Sequence, residues 1–283
     1  MVESNGVASD SVHRARLGDV LAIMLLTLIG LGWACSPRPL EPAPRRKLTV
    51  FAASSLSDVF TDLKENFESS HRDTEVIFNF AGTQQLRMQV EQGASPDVLA
   101  AADEAHMQEL VRRGFATSPR IFARGEPVLV VAKESAAAVT SLRDLPDAPR
   151  VVMGVPEVPI GRYTSRILAN AAAAFGADYE PRVEARVVSR EFNVRQVLAK
   201  VRLGEASAGF VYRTDVVAPD GDVVVVTIPP ELNVLAAYPI AVLKKAAQPI
   251  LARAWVRLLL SEEGRKRLSK FGFIPAGANA KSE

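Results

Sequence analysis

Small and hydroxyl-bearing residues recur at the points where predicted strands end and helices begin. Ser54 and Ser55 follow one apolar segment, and Gly82 and Thr83 follow a second. The first turn of a helix has free backbone N–H groups and the positive end of the helix dipole, and hydroxyl groups add further donors. Each residue taken singly fits an ordinary N-cap. Two adjacent residues of this kind at both positions favour an oxyanion as the ligand.

The elements that must position these residues alternate between strands and helices. Apolar segments predict strands at 48–52, 75–80, 98–101, 128–132, 151–154, 184–188, 208–212, 223–228 and 236–242. Helical periodicity predicts helices at 56–68, 84–92, 105–113, 163–175, 194–203 and 250–260. This alternation is typical of α/β proteins with largely parallel sheets. In such sheets the helix N-termini gather at the carboxyl ends of the strands, where ligands bind.

Motifs for catalysis are absent from the sequence. It contains no glycine-rich phosphate loop, no Gly-x-Ser-x-Gly elbow and no His-Glu-x-x-His pair. His71 and His106 lie among charged residues, which is typical of solvated surface histidines. Asp97 and Asp103 flank one predicted strand, and we interpret them as caps rather than metal ligands. A hydrolase built on Ser55 is an alternative class, but it needs a base that no motif supplies.

Composition places the chain among ordinary globular proteins. Its 283 residues are enough for two lobes with separate cores, and 48% of them are hydrophobic. The formal net charge is +2, and aromatic residues make up 6% of the chain. A nearly neutral chain with few aromatic residues has neither the basic surface nor the stacking groups of a nucleic-acid-binding protein. We expect no nucleic-acid partner.

The N-terminal segment is predicted to be an export signal. Basic residues precede the apolar stretch 20–34, which is shorter than the roughly 20 residues of a spanning helix. The stretch ends at Cys35, the only cysteine in the sequence. The motif LGWAC at 31–35 resembles a bacterial lipoprotein cleavage box, with Gly32 in the place of the usual leucine. We therefore interpret 1–35 as a signal peptide with a lipobox and 36–46 as a proline-rich spacer. The alternative is an uncleaved or ordinarily cleaved signal without lipid.

Seven short motifs resemble, in the same order, those of the molybdate-binding proteins of ABC importers. They are VFAASSL at 50–56, FAGT at 80–83, QGASPDVL at 92–99, AD at 102–103, VPEVPIGRY at 155–163, NVR at 193–195 and GFVYRTD at 209–215. The segment 258–275 is similar to the closing helix of that family. The resemblance covers about 47–275, and a set of motifs in family order is far more specific than any single one.

The resemblance implies a type II periplasmic-binding-protein fold, in which two α/β lobes hold an anion between them. The first lobe would comprise 47–126 and 237–283, and the second 127–236. Two crossings of the chain, near Glu126 and Tyr238, would form the hinge. Closure of both lobes on one ion is the expected mechanism, because only closure brings all donors to it.

By position, the family's anion contacts fall on two sets of donors. The hydroxyls of Ser55 and Thr83 come from the first lobe. The backbone of Ile160, the backbone of Val194 and the Tyr212 hydroxyl come from the second. Thr83 stands where serine is common in the family, and Ile160 where alanine is common. The resemblance implies contact with the oxyanion only, with no direct metal ligands and no cofactor.

The same resemblance implies a transport function and a cellular location. The protein is expected to be exported, to capture molybdate and also tungstate, and to deliver it to an ABC permease and ATPase complex. We expect a monomer without enzyme activity. It would be anchored to a membrane by lipid at Cys35, or be periplasmic if the signal is cleaved without lipidation. The alternatives are another oxyanion, such as sulfate or phosphate, or a sensory domain of the same fold, which would need an attached output module.

Overall fold

Two mixed β-sheets organise the protein. The computed structural model describes residues 45–217 and 221–277, and the strands in these ranges are β1 (Arg46–Ala53), β2 (Thr74–Ala81), β3 (Val98–Ala100), β4 (Arg120–Gly125), β5 (Pro127–Ala132), β6 (Val151–Gly154), β7 (Val187–Glu191), β8 (Ala208–Tyr212), β9 (Val223–Val226), β10 (Ala236–Val242) and β11 (Ile274–Pro275). One sheet has the order β11-β4-β10-β3-β1-β2 and the other has the order β7-β6-β8-β5-β9. Each sheet with its helices forms one lobe.

Helices follow most of the strands. They are α1 (Ser57–Ser70), α2 (Thr83–Glu91), α3 (Glu104–Arg112), α4 (Pro159–Phe175), α5 (Tyr179–Glu184), α6 (Val194–Arg202), α7 (Pro249–Leu260) and α8 (Glu262–Lys270). Short 3-10 helices lie at Ser54–Leu56, Lys133–Ser135, Leu142–Asp147 and Arg213–Val216. The strand–helix alternation predicted from the sequence is confirmed, and the predicted helices agree with the observed ones to within a few residues.

The expectation of largely parallel sheets is wrong. In the six-stranded sheet β1 is parallel to β2 and β3, but β10 is antiparallel to β3 and β4. In the five-stranded sheet β6 is parallel to β7 and β8, but β5 is antiparallel to β8 and β9. The physical reason is the exchange of chain between the lobes. The chain leaves the first sheet after β4 and returns as β10, which inserts between β3 and β4 in the opposite direction to β3.

The core of the first lobe is built on aromatic packing. The buried face of α1 includes Phe60 and Phe67, which meet the Trp255 ring of α7 edge-on at centroid distances of 5.4 and 5.3 Å. In the second lobe α6 packs closely on its sheet at Gly209, where an added Cβ would lie 2.9 Å from side-chain atoms of Val152 and Val197. These contacts fix the positions of α1 and α6. The N-terminal turns of these two helices lie close to each other.

Several local predictions need correction. The segment 184–188 was expected to be a strand, but α5 continues to Glu184 and β7 begins at Val187. The apolar residues of this region belong partly to the helix, where Val183 packs into the core. Strand β4 was not predicted, because its sequence RIFARG alternates charged and apolar residues too weakly to stand out.

The predicted export signal and Cys35 lie outside the described residues, as does the predicted spacer up to residue 44. Strand β1 begins at Arg46. Within the part of the chain that the structure describes, no helix is both long and apolar enough to span a membrane.

Candidate anion-binding site

A small buried cavity lies between the two lobes, at the carboxyl ends of their strands. It has about 220 Å³ of empty space, part of which is open to solvent. Its walls are formed by Ala53, Ser54, Ser55, Ala81, Gly82, Thr83, Ala102, Val158, Pro159, Ile160, Asn193, Val194 and Tyr212. The five residues predicted to contact the anion, Ser55, Thr83, Ile160, Val194 and Tyr212, all line this one cavity.

Strand register brings the first-lobe residues together. Ala53 and Ala81, the last residues of β1 and β2, are paired across the parallel ladder. The serine pair and the Gly82–Thr83 pair follow directly, so both enter the cavity side by side. The hydroxyls of Ser55 and Thr83 are almost completely buried. Both residues lie at the start of helical turns, where the first backbone N–H groups have no carbonyl partner in a preceding turn.

Each of these hydroxyls has one protein partner and keeps capacity for a ligand. The Thr83 Oγ1 accepts a hydrogen bond from the Ala102 N–H at 3.1 Å, which leaves its own proton free to be donated. The Ser55 Oγ and the Tyr238 hydroxyl lie 3.0 Å apart. When Tyr238 donates in this pair, the Ser55 proton is available to the cavity. Gly125 leaves room for Tyr238, since an added Cβ would come within 2.8 Å of its ring.

Tyr212 contributes a hydroxyl that lacks a partner. Its side chain is fully buried, and its oxygen makes no hydrogen bond to any described residue. Burial raises the pKa of Tyr212 well above its ordinary value, so the group keeps its proton and stays a donor. A buried hydroxyl without a partner is unfavourable by roughly 1–3 kcal/mol. A ligand oxygen in the cavity would remove that cost.

Two helix N-termini from the second lobe complete the lining. Ile160 lies in the first turn of α4, which begins with Pro159. Gly161 in the same turn has no space for a side chain, because an added Cβ would lie 2.1 Å from the Val155 carbonyl oxygen. Val194 is the first residue of α6, and Asn193 caps that helix by accepting from the Gln196 N–H.

The cavity offers hydrogen-bond donors without counter-charges. Among the described residues, those that line it include no charged side chain. Groups of three or more His, Cys, Asp or Glu side chains suited to hold a metal ion are also absent from the described ranges. Hydroxyl donors, amide N–H groups and two helix dipoles suit an anion that accepts at every oxygen.

The lobes touch directly beside the cavity. Gln84 of α2 donates through Nε2 to the Phe192 carbonyl oxygen of the second lobe at 2.8 Å. Gly82 approaches the same carbonyl so closely that an added Cβ would lie 2.3 Å from its oxygen. The Gln85 Oε1 accepts from the Gly82 N–H, whereas the buried Gln84 Oε1 has no hydrogen-bond partner among the described residues.

Two residues near the site differ from the sequence interpretation. His106 is buried rather than solvated, and its Nδ1 lies 2.8 Å from the Asp103 Oδ1. Asp103 caps α3 by accepting from the His106 N–H, so the histidine turns inward over its own cap. Arg162 of the second lobe lies 3.7 Å from the same carboxylate. The Tyr238 hydroxyl was missed as a partner of Ser55, since only the hinge position of Tyr238 was recognised in the sequence.

Comparison with known proteins is consistent with this geometry. The family model of bacterial extracellular solute-binding proteins matches residues 48–274. The molybdate-binding protein ModA of Mycobacterium tuberculosis H37Rv is 36% identical over 261 residues, which are 90% of this chain and 96% of the relative. ModA of Escherichia coli K12 is 29% identical over 240 residues, or 82% and 90% of the two chains. The solved periplasmic molybdate-binding protein of Azotobacter vinelandii has a TM-score of 0.70 at 19% identity, covering 80% of this chain and 98% of its own.

The chain belongs to the bacterial extracellular solute-binding proteins. It has the type II periplasmic-binding-protein fold, with two α/β lobes and a chain that crosses between them twice. The crossings lie between β4 and β5 and between β9 and β10.

Proposed function

We propose that this protein captures molybdate between its two lobes and delivers it to an ABC importer. The observation that carries the proposal is the buried, uncharged cavity where the two lobes meet. The Tyr212 hydroxyl lines this cavity and has no hydrogen-bond partner among the described residues. Similarity to ModA proteins over nine-tenths of the chain supports the choice of molybdate among oxyanions. Tungstate has the same charge and nearly the same size, and we propose that it binds comparably.

The proposed contacts are five donors from two lobes. Ser55 and Thr83 donate from the first lobe through their hydroxyls. Ile160 and Val194 donate from the second through backbone N–H groups, and Tyr212 donates through its hydroxyl. A fully deprotonated tetrahedral dianion accepts from all of them, whereas a protonated anion would need one of the hydroxyls to accept its proton and so to stop donating.

Closure follows from the division of the donors. We propose lobes of 47–126 with 237–283 and of 127–236, moving about the two crossings near Glu126 and Tyr238. An ion held by both lobes stabilises the closed state, because the open state offers it only half of the donors. Small-angle scattering should therefore show a smaller radius of gyration with molybdate than without it. Identical profiles would contradict the hinge motion.

Transport requires partners beyond this chain. We propose an ABC permease and ATPase complex that recognises the closed form, with the protein acting as an exported monomer without catalytic activity. We also propose a lipid anchor at Cys35, since two or more acyl chains hold a protein stably on a membrane. Labelling with a palmitate analogue should mark the wild type and not Cys35→Ser. Equal membrane retention of the two forms would contradict the anchor.

A thermal-shift panel tests the ligand class. A ligand that binds only the folded protein raises the free energy of unfolding with the logarithm of its excess over Kd, and the melting temperature rises with it. Molybdate and tungstate should raise the melting temperature of the chain from residue 36 onward, and sulfate and phosphate should raise it much less. A larger shift with sulfate or phosphate would favour the alternative reading, in which the same fold serves another oxyanion.

A further inference from the structure

Two charged residues of the family-like motifs have no part in the proposed contacts. Arg195 directly follows Val194, whose amide is a proposed donor. Asp215 follows Tyr212 by three residues, in the 3-10 helix Arg213–Val216. Neither residue lines the cavity. Their position beside two proposed donors raises the question of what they hold in place.

Arg195 bridges the two lobes through two different nitrogen atoms. Its Nη2 donates to the Asp58 Oδ2 of the first lobe at 2.8 Å. Its Nε lies 3.0 Å from the Asp215 Oδ1 of the second lobe, as an ion pair that is not aligned for a hydrogen bond. The second oxygen of Asp215 accepts from the Tyr212 backbone N–H at 3.0 Å. Asp58 lies in the first turn of α1, which follows the 3-10 turn that carries Ser55. The network thus joins elements that bear donors on both sides of the cavity.

The burial of the three side chains is graded. Asp215 has no exposed side-chain surface, Arg195 is 29% exposed, and Asp58 is 52% exposed. Arginine suits this place because its planar fork can serve two carboxylates at once, which a lysine ammonium on a flexible stem cannot do with the same geometry. The inner contact to Asp215 stays within one lobe. The outer contact to Asp58 joins the second lobe to the first.

We infer that Arg195 is a positioning residue that couples lobe closure to the alignment of the Val194 amide and the Tyr212 backbone. The inference rests on the proposed function, because it takes these two residues as ligand donors. Loss of the Asp58 contact lowers the closed population, and the apparent Kd rises by the same factor as the binding-competent fraction falls. The dissociation rate should increase accordingly.

The outer contact can be removed without disturbing the core. In Asp58→Asn we expect about a three- to tenfold rise in the Kd for molybdate and a faster dissociation rate, with the melting temperature of the ligand-free protein unchanged. Asp147→Asn is the matched control, since Asp147 is an exposed aspartate paired with Arg182 within the second lobe. The control should bind molybdate as the wild type does. Equal Kd values for Asp58→Asn and the control would overturn the inference.

A double-variant cycle tests whether the two residues act together. Arg195→Gln should weaken binding more than Asp58→Asn, and the combined variant should be no weaker than Arg195→Gln alone. Arg195→Lys should resemble Asp58→Asn, because a single ammonium group cannot keep both contacts. Additive effects of the two substitutions would mean that Arg195 and Asp58 act separately, which contradicts the proposed coupling.

A direct measure of closure separates this inference from the proposed function. Spin labels on one exposed position of each lobe, in a chain without Cys35, report the distance between the lobes with no ligand and with molybdate. Asp58→Asn should shift the distances toward the open form relative to Asp147→Asn in either condition. If wild-type protein fails to bind molybdate, the proposed function fails, while a shift in the ligand-free distances still supports the bridge. If Asp58→Asn and Asp147→Asn give identical distance distributions both with and without molybdate, the inference about Arg195 is overturned.

Discussion

The Thr83 hydroxyl oxygen accepts a hydrogen bond from the Ala102 backbone N–H at 3.1 Å, beside the cavity. This contact orients the hydroxyl and leaves its single proton to be donated elsewhere. Thr83 is therefore at once a structural acceptor and a proposed ligand donor. The two roles can be separated by substitution.

Thr83→Ser should retain both roles and bind molybdate nearly as tightly as the wild type. Thr83→Val should lose a donor to a charged acceptor, which costs roughly 1.5–3 kcal/mol or about ten- to a hundredfold in Kd. It should also lower the free energy of unfolding by about 1–3 kcal/mol, because the Ala102 N–H is left without a partner. Titration calorimetry and urea unfolding measure the two effects. Unchanged molybdate affinity in Thr83→Val would remove Thr83 from the contacts.

Tyr212→Phe should separate binding from stability in the opposite way. The variant removes a buried hydroxyl that has no partner in the described residues, so the ligand-free protein should be as stable as the wild type or more stable. Molybdate affinity should fall about ten- to a hundredfold. Tyr179→Phe is a suitable control, since the Tyr179 hydroxyl donates to the Leu142 carbonyl oxygen far from the cavity lining. A less stable Tyr212→Phe with full affinity would show that the hydroxyl serves the fold.

Gly82→Ala should obstruct closure. An added Cβ would lie 2.3 Å from the Phe192 carbonyl oxygen of the other lobe, and 2.5 Å from the Gln84 Oε1, which a shift of that flexible side chain can relieve. We expect at least about a tenfold loss of molybdate affinity, together with a loss of no more than about 1 kcal/mol in ligand-free stability from the altered helix cap. Scattering profiles should remain those of the open protein when molybdate is added at low excess. Normal compaction in this variant would contradict the closed geometry at Gly82.

The free energy of unfolding of the ligand-free protein should depend on pH through Asp215. Burial raises the pKa of Asp215 to about 6 from its ordinary 3.8, and the Arg195 charge and the Tyr212 N–H only partly oppose this rise. The folded protein therefore binds this proton more tightly than the unfolded chain. The resulting stability is fully present below about pH 4 and is lost as the pH rises through about 6, with a total change of roughly 3 kcal/mol.

Urea unfolding of wild type and Asp215→Asn across pH 4–7 measures this component. The difference in unfolding free energy between the two proteins should change over that range in favour of the variant as the pH rises. A constant difference over this range would mean that Asp215 is ionised normally in the folded protein.

Local features of the sequence predicted part of the candidate site. Hydroxyl and small residues at strand ends predicted the helix starts at Ser55 and Thr83, because capping and free N–H groups depend only on neighbours along the chain. The family-like motifs added Ile160, Val194 and Tyr212. All five line the same cavity, whereas their contact with an ion remains a prediction.

Contacts between distant segments could not be predicted in this way. The pairing of Ser55 with Tyr238 depends on where β10 inserts into the first sheet, 183 residues further along the chain. The same insertion makes the sheets mixed, which strand–helix alternation alone does not reveal. His106 was misjudged because its charged neighbours suggested solvent, although an aspartate three residues earlier at a helix start can draw a histidine inward.

A comparison of anion affinities is the sharpest test of molybdate as the ligand of this cavity. The proposed site has no charged acceptor, so the proton of hydrogen phosphate would have to pair with a hydroxyl oxygen, which would then no longer donate, at a cost of roughly 1–3 kcal/mol. Sulfate has the right protonation but is too small to span donors set for a larger tetrahedron. Calorimetric titration of the wild-type chain should therefore show tight, comparable binding of molybdate and tungstate, and at least about tenfold weaker binding of phosphate and sulfate. Phosphate or sulfate binding as tightly as molybdate would contradict the account.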